Sequence, residues 1–280
     1  MTSCNPDLYL SLLKRTLTRY DLEGEWRYEL YQKEGHGVDA KLKRAVQTAV
    51  RKRGLELVRA VRIDLALRED GREVSADIAE TMAETMIGLV RLNQLQAAIE
   101  DVIAKNIPGD LIETGVWRGG ACIFMRGVLA AHQVTDRTVW VADSFEGLPR
   151  PSGEYPIDSG GIPFWEEPVL AVSQEEVERN FAKYGLLDGQ VRFLKGWFKD
   201  TLPTAPIDRL SVLRLDGDMY ESTIQTLDAL YWKVSAGGYV IVDDYGALEV
   251  CRAAVEDFRN DHGITAPITR IDWGGVYWQV

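Results

Sequence analysis

The C-terminal stretch APITRIDWGGVYWQV, residues 266–280, decides the fold. It reads as two short β-runs, APITRID (266–272) and GVYWQV (275–280), separated only by Trp273 and Gly274. Strands joined that tightly pair antiparallel. Upstream of the hairpin the pattern is different. Short β-rich runs, DLIETG (110–115), TVWVAD (138–143), QVRFLKG (190–196), LSVLRLD (210–216) and GYVIVDD (238–244), alternate with the helical stretches GACIFMRGVLAAH, SQEEVERNFAKYG and ESTIQTLDALYWKV. That rhythm predicts an α/β fold with a parallel sheet and right-handed crossovers. A last helix, LEVCRAAVEDFRNDHG, leads into the hairpin. Five parallel strands closed by an antiparallel hairpin is narrower than a generic doubly wound sheet.

Before residue 108 helical periodicity dominates. The spacing predicts a helix over 7–20 and helical structure nearly throughout 75–109, with Ser75 as a cap candidate and Gly88 as a break between two helices. The run KLKRAVQTAVRKR (41–53) holds six basic residues and no acidic one. It reads as a solvated helix face balanced by surrounding acids rather than an anion site. The chain therefore divides into a helical region, 1–109, and an α/β region, 110–280.

Charge follows the same division. Residues 1–100 carry 16 basic and 16 acidic side chains, and the remaining 180 carry 16 and 27, so the net charge of −11 lies entirely in the second part. An acidic α/β region argues against nucleic acid and suits a site that holds a cation. No apolar run reaches the length of a membrane span, and MTSCNPDLYLSLLKR lacks the pattern of a signal peptide. Cys4, Cys122 and Cys251 are widely spaced and odd in number, as expected of free thiols in a reducing cytoplasm.

The α/β region offers two ligand signals at its strand ends. The first strand runs into ETGVWRGG (113–120), where glycines let backbone approach a ligand. The spacing is G-x-x-x-G-G rather than the G-x-G-x-x-G of a dinucleotide site. The second strand ends in Asp143, which suits two ribose hydroxyls and so an adenosine-containing ligand. A sheet closed by this hairpin resembles the seven-stranded S-adenosylmethionine (SAM) methyltransferases, and Glu113 then suits the ammonium or ribose side of SAM. The segment after Asp143, GLPRPSGEYPIDSGGIPFWEEPV (147–169), carries five of the ten prolines. A loop of that length beside an α/β site reads as a lid, with Phe164 and Trp165 as apolar anchors.

YVIVDDYG (239–246) places Asp243 and Asp244 side by side after a buried strand. The neighbouring run LSVLRLD also ends in a carboxylate, Asp216. In a parallel sheet these ends share an edge, so the three acids converge and repel. A divalent cation relieves that conflict, and oxygen-only ligation selects Mg²⁺ or Mn²⁺. On this reading each acid could be changed to Asn without loss of fold, with the apo form gaining stability.

The chain resembles the macrocin/mycinamicin O-methyltransferase family. The matching residues include LYLSLLKRTLT, TMIGLVRLNQLQ, PGDLIETGVWRGGACIFMRGVL, RTVWVADSFEGLP, LRLDGDMYEST and GGYVIVDDYG. The resemblance implies SAM- and Mg²⁺-dependent methylation of sugar hydroxyls on glycosylated natural products, in a homo-oligomer. It implies a metal site at Asp216, Asp243 and Asp244. Asp216, which ends the strand nearest the switch, is also the candidate base, with Asp218 the runner-up. It implies a SAM site at Met86, Glu113, Gly115, Val116, Arg118, Gly119, Gly120, Asp143, Ser144 and Gly196-Trp197-Phe198. The helical region would border the acceptor, and residues 21–75 look longer and more charged than the family pattern. A catechol-type O-methyltransferase, an NAD-dependent enzyme and a non-catalytic SAM-binding protein are the alternatives.

Overall fold

The computed structural model describes residues 5–19, 26–30, 58–62, 83–160 and 162–280. Cys4, the 41–53 run, Ser75 and Gly161 lie outside them. Strands β3 (Asp110–Thr114), β4 (Val139–Asp143), β5 (Val191–Lys195), β6 (Leu210–Leu215), β7 (Val234–Val242), β8 (Thr269–Arg270) and β9 (Val276–Gln279) form one sheet in the order β5-β4-β3-β6-β7-β9-β8. The first five are parallel, and β9 pairs antiparallel with both β7 and β8. The closing hairpin is looser than its sequence suggests. Pairing starts at Arg270↔Val276, so five residues make the turn. Asp272 organises it, its Oδ1 accepting from the Gly274 and Gly275 N–H groups at 2.9 and 2.7 Å.

A strand pair was not expected. β1 (Trp26–Leu30) and β2 (Val58–Arg62) form a separate antiparallel ribbon. WRYEL alternates apolar and charged residues, which is the period of a strand. The helical reading of the first 108 residues passed over it.

The sheet is covered on both faces, as parallel strands require. Alternate strand residues divide between two cores. Leu111, Val139, Val141, Val191, Val212 and Ile241 face α1 (Pro6–Thr18), α2 (Leu89–Ala104), α3 (Gly120–Ala131) and α4 (Gln174–Lys183). Ile112, Trp140, Ala142, Leu213, Val240 and Val242 face α6 (Tyr220–Leu230) and α7 (Glu249–Asp261). A one-turn α5 (Phe198–Thr201) follows β5. Phe124, Phe181, Phe258 and Trp278 are among the largest fully buried side chains. Each such side chain contributes roughly 1.5–3 kcal/mol on leaving water. The described helices of the N-terminal region thus share a core with the sheet.

Two helix boundaries differ from expectation. Residues 83–88 are irregular, and Gly88 is the N-cap of α2 rather than a break between helices. The stretch ESTIQTLDALYWKV is helical only to Leu230. A single 3₁₀ turn follows, and Val234 already begins β7.

Candidate active site

Register brings the acids together. Thr114, Leu215 and Val242 end three neighbouring strands as paired residues. The Asp216 N–H then donates to Thr114 and the Asp243 N–H to Leu215, both at 2.9 Å. Asp216 and the Asp243-Asp244 pair therefore leave the sheet side by side, just beyond its edge. One carboxylate oxygen from each of Asp216, Asp243 and Asp244 lies within 4.8 Å of the others. Gly115 makes the close approach possible. Its φ is +85°, and a Cβ there would sit 1.9 Å from the Asp216 carbonyl oxygen.

Two buried arginines, not anticipated from sequence, thread this cluster. Arg214 of β6 is ion-paired with Glu113, with Asp216 at 2.7 Å, and with Asp243. Arg91 of α2 pairs with the other oxygen of Asp243 and holds Asp272 at 2.7 Å. Both oxygens of Asp243 are thus engaged by guanidinium groups. Asp244 is different, because its buried Oδ2 has no hydrogen-bond partner. Repulsion is therefore relieved at Asp243 by arginine and is left standing at Asp244, a correction to the uniform picture from sequence. A charged residue near the end of the mostly apolar LSVLRL was the available signal, since a buried arginine requires acidic partners.

Proton affinities reflect the crowding. Burial and then the Asp216 carboxylate push Asp218 up to about 8. Burial and then Asp218 raise Asp244 well above its ordinary value. Burial raises Asp243, against the opposing pull of Arg214 and Arg91. Glu113 is pushed up to about 7 by burial, with Arg214 acting against the shift.

A cavity of about 540 Å³ opens over the acids and extends to the ends of β3, β4 and β5. That size falls in the range of small-molecule sites. Of the residues singled out from sequence, Met86, Gly115, Asp143, Ser144, Gly196, Trp197 and Phe198 line it, together with Asp216, Asp218, Asp243 and Asp244. Asp143 is held by backbone donors, accepting from the Val116 and Phe145 N–H groups at 2.7 Å each. Trp117, which the sequence did not single out, also lines the cavity, whereas Glu113, Val116, Arg118, Gly119 and Gly120 of the same turn do not. Glu113 is buried against Arg214 and accepts from the Cys122 thiol at 3.0 Å. Arg118 donates to the Ala83 carbonyl at 2.9 Å and its guanidinium lies over the Trp117 ring. Gly119 caps α3, and the Gly120 N–H donates to the Glu84 carbonyl at 2.8 Å. Val116 contributes its N–H to Asp143.

The Pro-rich segment covers the cavity on one side, through Leu148, Pro149, Arg150, Ser152, Ile162 and Phe164. Trp165 is half-buried and is not part of the lining. The segment is fastened to the body at several points. Asp158 accepts from the Tyr220 and Glu221 N–H groups at 2.8 and 3.0 Å, capping α6, whose own N-cap Met219 offers no side-chain bond. Ser152 donates to Glu221 at 2.9 Å, and Trp117 donates to the Val169 carbonyl at 2.9 Å. Trp273 of the hairpin turn completes the far wall, with the Arg91 guanidinium 5.5 Å from its ring centre.

This sheet order, with Asp143 at the end of β4 and an acidic cluster at β6 and β7, is that of the SAM-dependent O-methyltransferases. The chain belongs to the TylF macrocin-O-methyltransferase family, whose model matches residues 6–280. It is 45% identical to the mycinamicin III 3''-O-methyltransferase of Micromonospora griseorubida over 280 residues, covering 99% of this chain and 98% of the relative. It is 58% identical to the demethyldecarbamoylnovobiocin O-methyltransferase of Streptomyces niveus over 214 residues, 76% of this chain and 80% of the relative. The solved structure of the O-methyltransferase NovP superposes with a TM-score of 0.80 at 48% identity, covering 98% of both chains. The full-length match to the mycinamicin enzyme runs across residues 21–75. Among the described residues no helix is long and apolar enough to cross a membrane.

Proposed function

We propose that this enzyme transfers the methyl group of SAM to a hydroxyl of a sugar carried on a natural product, with Mg²⁺ held by Asp216, Asp243 and Asp244. The observation that carries the cation is the unpartnered buried oxygen of Asp244 within a three-carboxylate cluster. A hard divalent ion suits that all-oxygen set. When bound, Mg²⁺ supplies Lewis-acid polarisation of the acceptor hydroxyl and SAM supplies an activated methyl group. The chain's own residues do the rest. Asp143, with Met86 and the Gly196-Trp197-Phe198 wall, orients the adenosine side of SAM. Asp216 accepts the hydroxyl proton, one of its oxygens being steadied by Arg214. Asp218 is the second candidate for that proton, since it lines the same cavity. The Pro-rich segment and Trp273 exclude water and border the acceptor, and fixed geometry of this kind lowers the barrier by alignment.

The sugar acceptor is supported by two relatives, the mycinamicin enzyme and a 4'-O-methyltransferase acting on a rhamnosyl tetracenomycin, 56% identical over 71% of this chain. We assign acceptor choice and assembly to residues 1–109 and the chemistry to 110–280, with Arg91 crossing between them. Leu8 and Leu12, exposed on α1, support a homo-oligomer; a monomer mass by light scattering would remove that part. The two buried free cysteines support a reducing, cytoplasmic setting.

The test is turnover of methyl-labelled SAM against a panel of glycosides and simple phenols. Glycosides should be methylated, EDTA should stop the reaction, and added Mg²⁺ should restore it. Turnover unaffected by EDTA removes the cation. Turnover of phenols in place of glycosides favours a catechol-type enzyme.

A further inference from the structure

Arg91 stands apart from the other charged groups of the site. It comes from α2, in the helical region, yet its guanidinium reaches the carboxylate cluster and lies on the cavity wall. Its residue is buried, 7% exposed. All three guanidinium nitrogens are used: Nε and Nη2 donate to Asp272 at 2.7 and 3.2 Å, and Nη1 donates to Asp243. A guanidinium keeps its proton in proteins, and here two carboxylates, Asp243 and Asp272, face it directly. Arg91 is therefore a fixed positive charge touching a carboxylate proposed to hold a cation.

We propose that Arg91 sets the cation affinity of the Asp216–Asp243–Asp244 cluster, keeping the site assembled before the cation arrives and its affinity for the cation low. This inference rests on the Mg²⁺ reading above. Two effects compete. As a hydrogen-bond donor, Arg91 orients Asp243, which favours binding. As a positive charge held against a carboxylate that would take the ion, it would oppose binding. At an effective dielectric of about 20, one charge within about 10 Å of a divalent ion changes its affinity by more than tenfold. The lost orientation is the smaller effect, because Arg214 still grips the other oxygen of Asp243. Repulsion should win. Arg91 then acts through Asp243 as a positioning and affinity-setting residue, and it makes no claim on the reacting atoms.

Asp272 gives the opposite handle on the same charge. It neutralises Arg91 and is not one of the three cluster acids. Removing its charge leaves Arg91 less compensated, so cation binding should weaken.

The experiment is titration of the full-length protein with Mn²⁺ alone, without SAM or acceptor, followed by electron paramagnetic resonance of the free ion and by calorimetry. Arg91→Gln should bind Mn²⁺ about tenfold tighter than wild type or more. Arg91→Lys, which keeps the charge, should stay close to wild type. Asp272→Asn should bind more weakly. SAM affinity should be unchanged in all three. Circular dichroism establishes that each variant is folded, and if Arg91→Gln is not, the Asp272→Asn and Arg91→Lys pair carries the test. Arg91→Gln binding no tighter than wild type, or Asp272→Asn binding no weaker, overturns the proposal. A wild-type protein that takes up no Mn²⁺ removes the cation reading itself.

Discussion

The two halves of the sheet present acids to one cavity in opposite ways. At the end of β4, Asp143 has both oxygens steadied by backbone N–H groups. At the ends of β6 and β7, Asp216, Asp218, Asp243 and Asp244 are crowded together, paired in part by Arg91 and Arg214. A single carboxylate oriented by neutral dipoles suits neutral donors such as ribose hydroxyls. A crowd of carboxylates with one oxygen unpartnered suits a positive charge. The same chemical group is therefore set to two tasks by what surrounds it.

The largest expected effect divides the acidic half internally. Asp243→Asn and Asp244→Asn should each reduce turnover at least a thousandfold, if the cation is needed for the hydroxyl to react. Their stabilities should part company. Asp243→Asn leaves Arg91 and Arg214 facing an amide, and breaking a buried ion pair from one side costs about 3–5 kcal/mol. Asp244→Asn removes a charge whose neighbours are mostly acids, so its melting temperature should hold or rise. Thermal denaturation in EDTA reads the difference. Equal melting temperatures for the two variants would show that the arginines do not stabilise Asp243 as their geometry implies.

A second prediction tests the backbone-held half. Asn at position 143 has one oxygen and one NH₂, so it must turn the NH₂ toward the N–H of Val116 or Phe145. SAM affinity should fall at least about tenfold, or ~1.4 kcal/mol, while Mn²⁺ binding stays as in wild type. If Asp143→Asn weakens both ligands alike, the two halves are not separate sites.

How much of this was legible follows from what a sequence records. The hairpin at 266–280 and the βαβ rhythm carried the sheet, because period and turn length are local. Asp216, Asp243 and Asp244 were legible because strand ends of a parallel sheet share an edge. Arg91 was not: it lies 152 residues from Asp243 in a stretch whose periodicity says only helix. Glu113 reads from sequence as a ligand contact, and in the fold it is buried and paired with Arg214. Strand alternation says which face a residue occupies, but not which buried partner has claimed it. The glycines of ETGVWRGG read from sequence as room for a ligand, and Gly115 does line the cavity. Its missing Cβ also makes room for the Asp216 backbone, a contact between residues 101 apart that a local motif does not show.

The smallest expected effect concerns the segment that joins the halves. The Pro-rich loop leaves the end of β4 and is fastened to the N-terminus of α6, which follows β6. Asp158 is the main fastening, buried at 2% exposure with two backbone N–H groups of α6 as donors. It supplies in trans the cap that Met219 cannot. Losing a side-chain cap costs about 0.5–2 kcal/mol. Asp158→Ala should therefore loosen the loop without releasing it. The Ser152–Glu221 and Trp117–Val169 bonds and the Tyr155–Tyr220 ring contact at 5.4 Å remain. Global melting should move little, since the loop is peripheral to both cores. Amide exchange across 147–170 should quicken by about tenfold at the middle of that energy range. The acceptor KM should rise, because Pro149, Ile162 and Phe164 line the cavity, while SAM affinity at Asp143 should be spared. Unchanged exchange in the loop would mean that its prolines, not Asp158, hold it down. A parallel loss of SAM affinity would mean that the loop serves the adenosine half, and the division drawn between the two halves would then have to move.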